Sequence, residues 1–216
     1  MKNYLFMQPA LAFIGQGRLF TSIVASALRV FAVLLGLGAL VAWLQMWKVV
    51  FNMDGVAVLG GVLFQAFFVV GVYMVVHACW IRAADIRVLH GSEFTVIPIL
   101  SVLLRLLGEI YACVSLTLGV GGGVAALFGG YLGYQIARVI PGLGLPQSFL
   151  FDLLGGAGSS FVSAVLLAVG GAIAAVLWLF LFYVASEMLV ALVAIARNTA
   201  ALLRIAERQT QSTDNS

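Results

Sequence analysis

The sequence predicts an all-α polytopic transmembrane helix bundle of about four spans, with both termini on the cytoplasmic side. Three observations predict it. Hydrophobic residues make up 63% of the 216 and charged residues only 9%, where a soluble domain carries about 25% charged residues. The charged residues leave four gaps, at residues 30–47, 55–81, 110–137 and 153–186, each near or above the ~20 apolar residues that cross ~30 Å of hydrocarbon. Lys and Arg then fall mainly on one side of the arrangement those spans define.

Mean hydropathy is +1.15. So few ionisable groups cannot clothe the wet surface of a small globule, which excludes a soluble enzyme and a nucleic-acid-binding domain. The net charge of +3 is scattered along the flanks of apolar runs, as topology requires, rather than gathered into a basic patch. The expected partners are the lipid bilayer and either a homo-oligomer or other membrane subunits, with no nucleic acid. The expected location is a bacterial-type inner (plasma) membrane.

The elements follow in order within a single membrane domain, residues 1–208. Lys2 is followed by an uncharged run to Arg18, broken by Gln8 and Pro9. That run lacks the form of a removable signal. Residues 8–29 are expected to lie at the interface, with Pro9 in a first helical turn. The first span is 30–50, closed by Trp43 and Trp47 ahead of Lys48, an interfacial aromatic pair. The second is 56–81, ending at Trp80 and Arg82. The third is 97–128, one long helix or a helix bent near Gly108, with Pro98 in its first turn; the alternative is that residues 94–104, too few to cross alone, lie as a shallow interfacial helix. The fourth gap would measure ~51 Å as one helix. The glycines and serines of 155–160 break it, so the fourth span is 161–186. A helical extension, 187–208, carries Arg197, Arg204 and Arg208 out of the membrane, and 209–216 is a disordered polar tail. The connection 131–160 holds Pro141, Gly142, Gly144 and Pro146 and the apolar patch Phe149, Leu150 and Phe151. It is too apolar to stand free in water and reads as a re-entrant or interfacial element. With the N-terminus inside, the inner face holds Lys2, Arg18, Arg29, Arg82, Arg87, Arg197, Arg204 and Arg208, and the outer face Lys48 and Arg138.

Five side chains recur at intervals of four: Ser101, Arg105, Glu109, Cys113 and Thr117. On a helix they form one stripe, and Arg105 and Glu109 stand within reach of each other. Ionisable groups at membrane depth are costly and face a bundle interior or cavity. Ser101, Arg105 and Glu109 are therefore candidates either for an ion or proton site or for a neutralised pair that fixes helix packing. His77, five residues before Arg82, is a candidate proton relay or interhelical hydrogen-bonding group. Glu187 is a boundary residue or a partner for Arg105 or Arg82. Arg82 and Asp85 form an i,i+3 pair. Gly119 with Gly123, and Gly129 with Gly133, give two GxxxG pairs that permit close helix approach.

No HExxH, GxSxG, P-loop or GxGxxG pattern occurs, and Cys79 and Cys113 have no metal-ligand spacing. No enzyme activity, metal or cofactor is expected. The sequence supports a non-enzymatic scaffold or accessory subunit of a membrane complex. The alternative is an oligomeric transporter or channel for a small ion or solute that uses the Arg105/Glu109 stripe.

Overall fold

The computed structural model describes residues 18–53, 55–89, 96–128 and 160–214. They are helical, with no strand among the described residues. α1 is Arg18–Val50 and α2 is Ala57–Val88. α3 is Val96–Leu116, and it runs through a π-helical turn, Thr117–Gly121, into α4, Gly122–Leu127. α5 is Ser160–Asp214. Four stretches are long and apolar enough to cross a membrane: Phe20–Val50, Ala57–Val88, Ile97–Leu127 and Phe161–Ile205. Their outer faces carry Leu37, Leu177, Phe180 and many similar side chains, each more than half exposed. Apolar surface of that extent belongs in lipid, so the chain is a multi-pass membrane protein.

α1 packs on α2, α2 on α3 and α4, and α3 and α4 on α5, while α1 and α5 make no substantial contact. Two apolar clusters hold the row together. At one end Ala25, Leu28 and Ala32 of α1 meet Cys79, Ala83 and Ile86 of α2 and Ile99 and Leu106 of α3. At the other, Met46, Phe64 and Ala125 meet, with Trp43 and Phe68 against them. The α1–α2 turn lies at this second end. Asn52 Nδ2 donates to the Lys48 carbonyl at 2.7 Å, covering one of the free carbonyls that end α1. Gly55 follows at φ +57, a left-handed conformation that side chains rarely adopt.

Several boundaries differ from those expected. α1 is unbroken from Arg18, so residues 18–29 belong to the same helix as the first span. Arg29 does not interrupt it, because arginine is a good helix former and its guanidinium lies 5.4 Å over the Trp80 ring. α2 runs seven residues past 81. The irregularity in the third span falls at Thr117–Gly121 and not near Gly108, which sits in regular α-helix with Phe182 against it. α5 continues to Asp214, through most of the tail expected to be disordered. Extending a long helix needs no new nucleation, so polar residues at its end can follow it. The connection 131–160 lies outside the described residues apart from Ser160. Residues 8–17, Gly129 and Gly133 also lie outside them.

Candidate functional site

The polar side chains of α2, α3 and α5 meet at the end of the row opposite the α1–α2 turn. Arg82 is the centre. Its Nε donates to Glu109 Oε2 at 3.1 Å and its Nη2 to Glu109 Oε1, a two-pronged contact between α2 and α3. Arg82 Nη1 donates to Asp85 Oδ2 at 2.8 Å, one turn along α2. Tyr183 of α5 closes the group: its hydroxyl accepts from Arg82 Nη2 at 3.1 Å and donates to Glu109 Oε1 at 2.8 Å. The Arg82 and Glu109 side chains are each only 18% exposed, and Asp85 is 43% exposed.

A second group lies beside it. The Ser101 and Ser186 hydroxyls, both buried, are 2.6 Å apart. Arg105 Nε donates to Ser186 Oγ at 2.9 Å. The Arg105 guanidinium stands 5.6 Å over the Tyr183 ring, where the negative face of the ring attracts it. Tyr183 thus joins both groups.

Arg105 and Glu109 share the expected stripe but do not pair. Helical side chains lean toward the N-terminus, so Arg105 leans away from Glu109, which lies one turn later. A basic residue placed ahead of an acidic one is the weaker order for this reason among others. Arg82 on the neighbouring helix offers a planar fork that matches the carboxylate, and it takes Glu109 instead. Ser186, not the exposed Glu187, meets Arg105. His77 is brought to none of these groups. It lies on the exposed face of α2, its ring stacked 5.6 Å from that of Tyr73.

Sequence reasoning missed Tyr183 and Ser186. They sit in the last turns of the longest charge-free gap, and their polarity there was the available signal. It also missed Gln65, the one amide in the second gap. Gln65 is 3% exposed, and its Nε2 lies 3.5 Å from the Trp43 carbonyl. Gln65 Oε1 and Trp43 Nε1 are buried without a hydrogen-bond partner among the described residues.

The glycines of the third span face two helices at once. A Cβ on Gly119 would lie 2.5 Å from the Gly171 Cα, and one on Gly123 2.6 Å from the Ala164 carbonyl, both on α5. A Cβ on Gly121 would lie 2.9 Å from Phe67 Cβ, on α2. Residues two apart on a helix point to nearly opposite sides, at ~100° per residue, so Gly121 meets α2 while Gly119 and Gly123 meet α5. Gly119 and Gly123 are therefore spent on packing within one chain.

An apolar cavity of about 330 Å³ lies between α1, α2 and α3, lined by Leu35, Gly38, Phe68, Val75 and Ile110, with Cys113 and Thr117 its most polar members. Among the described residues no group of three His, Cys, Asp or Glu could hold a metal ion.

Compared with known proteins, the chain matches no family model, no curated protein and no solved structure.

Proposed function

We propose that this chain is a non-enzymatic integral membrane protein, a helix-packing scaffold or accessory subunit of a membrane complex, in a bacterial-type inner membrane with both ends in the cytoplasm. The observation that carries this reading is the polar network that joins α2, α3 and α5. Arg82 pairs with Glu109 and Asp85, and Arg105 rests on Ser186 and the Tyr183 ring. Such a network ties the three helices together. The cavity above it offers no row of polar ligands to a passing ion, whereas channels line their pores with carbonyls or charged rings.

The levels of the charges support the membrane placement. Arg29 to Lys48 spans ~28 Å along α1 at ~1.5 Å per residue, close to the ~30 Å hydrocarbon thickness. Arg29, Arg82 and Glu109 lie at one level and Lys48 at the other. The side with Arg82 carries most of the basic residues, which favours the cytoplasm.

The second reading is an oligomeric transporter or channel. Its support is the pair Arg82–Glu109 and the nearby Arg105, since ionisable groups so little exposed within a spanning bundle are costly and often functional. Liposome reconstitution separates the two readings. With pH-, potassium- and chloride-sensitive dyes, the expected flux equals that of protein-free vesicles. A flux that the wild-type chain supports and Glu109→Gln abolishes overturns the scaffold reading.

A further inference from the structure

α5 is far longer than a crossing requires. Its span Phe161–Ile205 contains 45 residues, ~67 Å at ~1.5 Å per residue, against ~40–45 Å for the whole bilayer with headgroups. Even at a tilt of ~40°, the extreme for such helices, its end stands clear of the membrane. The protruding end is the C-terminal one, because Ala164 and Gly171 are fixed against Gly123 and Gly119. Ser186 lies level with Ser101, and α3 begins only five residues before Ser101. Beyond about residue 191, then, no described helix runs beside α5.

This free end is not polar all round. Met188, Leu192, Ile195 and Leu202 are 61%, 62%, 62% and 67% exposed, and Thr199 is exposed between them. Their spacing alternates four and three, the seam of a two-stranded coiled coil. Thr199 Oγ1 donates to the Ile195 carbonyl at 2.9 Å, so its hydroxyl is satisfied within α5. Arg197 and Arg204, both exposed, stand seven apart on the opposite side of the helix, at ~100° per residue.

Resting on the scaffold reading above, we infer that this face of α5 is the docking surface for α5 of a second copy of the chain. Two copies inserted in one bilayer with the same orientation bring their α5 helices together in parallel. A two-fold axis then sets each seam residue against its own counterpart. A face that meets itself must carry no charge, because like charges would be brought into register. α5 meets that condition: its seam from Met188 to Leu202 is uncharged, and its two arginines point away from it. Lipid can cover Met188, but it cannot cover Leu202, which is ~21 Å further along the helix axis.

Single cysteines at Ile195, Leu202, Arg197 and Arg204 in the full-length chain, oxidised in native membranes with copper phenanthroline, test the surface. The parent chain with Cys79 and Cys113 is the baseline. The expected result is a dimer band at least fivefold stronger for Ile195→Cys and Leu202→Cys than for Arg197→Cys and Arg204→Cys. Adding Leu202→Glu to Ile195→Cys should remove that band, with far-UV circular dichroism unchanged. Equal bands at all four positions, no band at the seam, or a seam product only with a different protein each overturn the inference. A chain uncrosslinked at the seam that still shows no ion flux leaves the scaffold reading standing. A seam dimer that conducts ions through Glu109 sinks the scaffold reading alone.

Discussion

Gly170 and Gly171 are neighbours on α5, and replacing each by alanine should move stability in opposite directions. A Cβ on Gly171 would fall against the Gly119 Cα and lie 2.7 Å from the Ser115 carbonyl. Both obstacles are backbone, so neither can swing aside as a side-chain tip can, and α3 and α5 must separate. Overpacking typically costs about 1–3 kcal/mol, and backbone against backbone belongs at the upper end of that range. Alanine recovers about 0.5–1 kcal/mol through its better helix propensity, leaving a net loss of about 1–2 kcal/mol. At Gly170 a Cβ meets nothing within 4 Å, so only the propensity gain remains. At ~2–4 °C per kcal/mol for a chain of this size, Gly171→Ala should lower Tm by about 2–8 °C and Gly170→Ala should raise it by about 1–4 °C. Thermal unfolding in a mild detergent, followed by circular dichroism, measures both. If the two variants shift Tm in the same direction, the Gly119–Gly171 contact does not set the distance between α3 and α5.

Two further perturbations test the polar network and the π-helical turn. In a double-mutant cycle, Arg82→Leu or Glu109→Leu alone should cost about 3–5 kcal/mol by leaving a poorly solvated charge, while the two together should be far milder. The same cycle on Arg105 and Glu109 should show much weaker coupling, and equal coupling in the two cycles contradicts the observed pairing. At Gly71 a Cβ would collide with the Thr117 hydroxyl and lie 2.9 Å from its Cγ2. Gly71→Ala should therefore lose about 1–3 kcal/mol, and adding Thr117→Ala should restore most of it. A double variant no more stable than Gly71→Ala refutes that contact.

Composition and charge gaps alone located the four crossings, because lipid solvation acts on every residue of a span and leaves a long-range signature. The Ser101–Arg105–Glu109 stripe was legible for the same reason: helical period is a local property. What Glu109 touches was not legible. That depends on the rotation and depth of α2 against α3, which no single helix encodes, so the nearer residue in sequence, Arg105, displaced the true partner, Arg82, from the expectation. Ser186 was overlooked in favour of Glu187 for a related reason. Charge is conspicuous in an apolar sequence, yet the face that α5 turns toward α3 carries the small hydroxyl, and the carboxylate one residue later points outward. The Gly119–Gly123 pair signalled close approach without naming its neighbour, and Gly171 at mid-span in α5 held the matching half.

The two ends of the α3–α5 pair are held by different forces, and the difference bears on what the pair can do. Near Gly119 and Gly171 the helices touch through backbone, where dispersion and close fit act without direction. Near Ser101, Glu109, Tyr183 and Ser186 they are held by hydrogen bonds, which fix rotation and register as well as distance. A glycine seam by itself would let one helix slide or turn on the other. Hydrogen bonds by themselves would leave the far ends free to splay. Together they make α3 and α5 a rigid pair, and Arg82 fastens α2 to it. α1 reaches the pair mainly through α2, with an apolar cavity in the gap. On the scaffold reading proposed above, such a pair would present the far end of α5 at fixed height and angle.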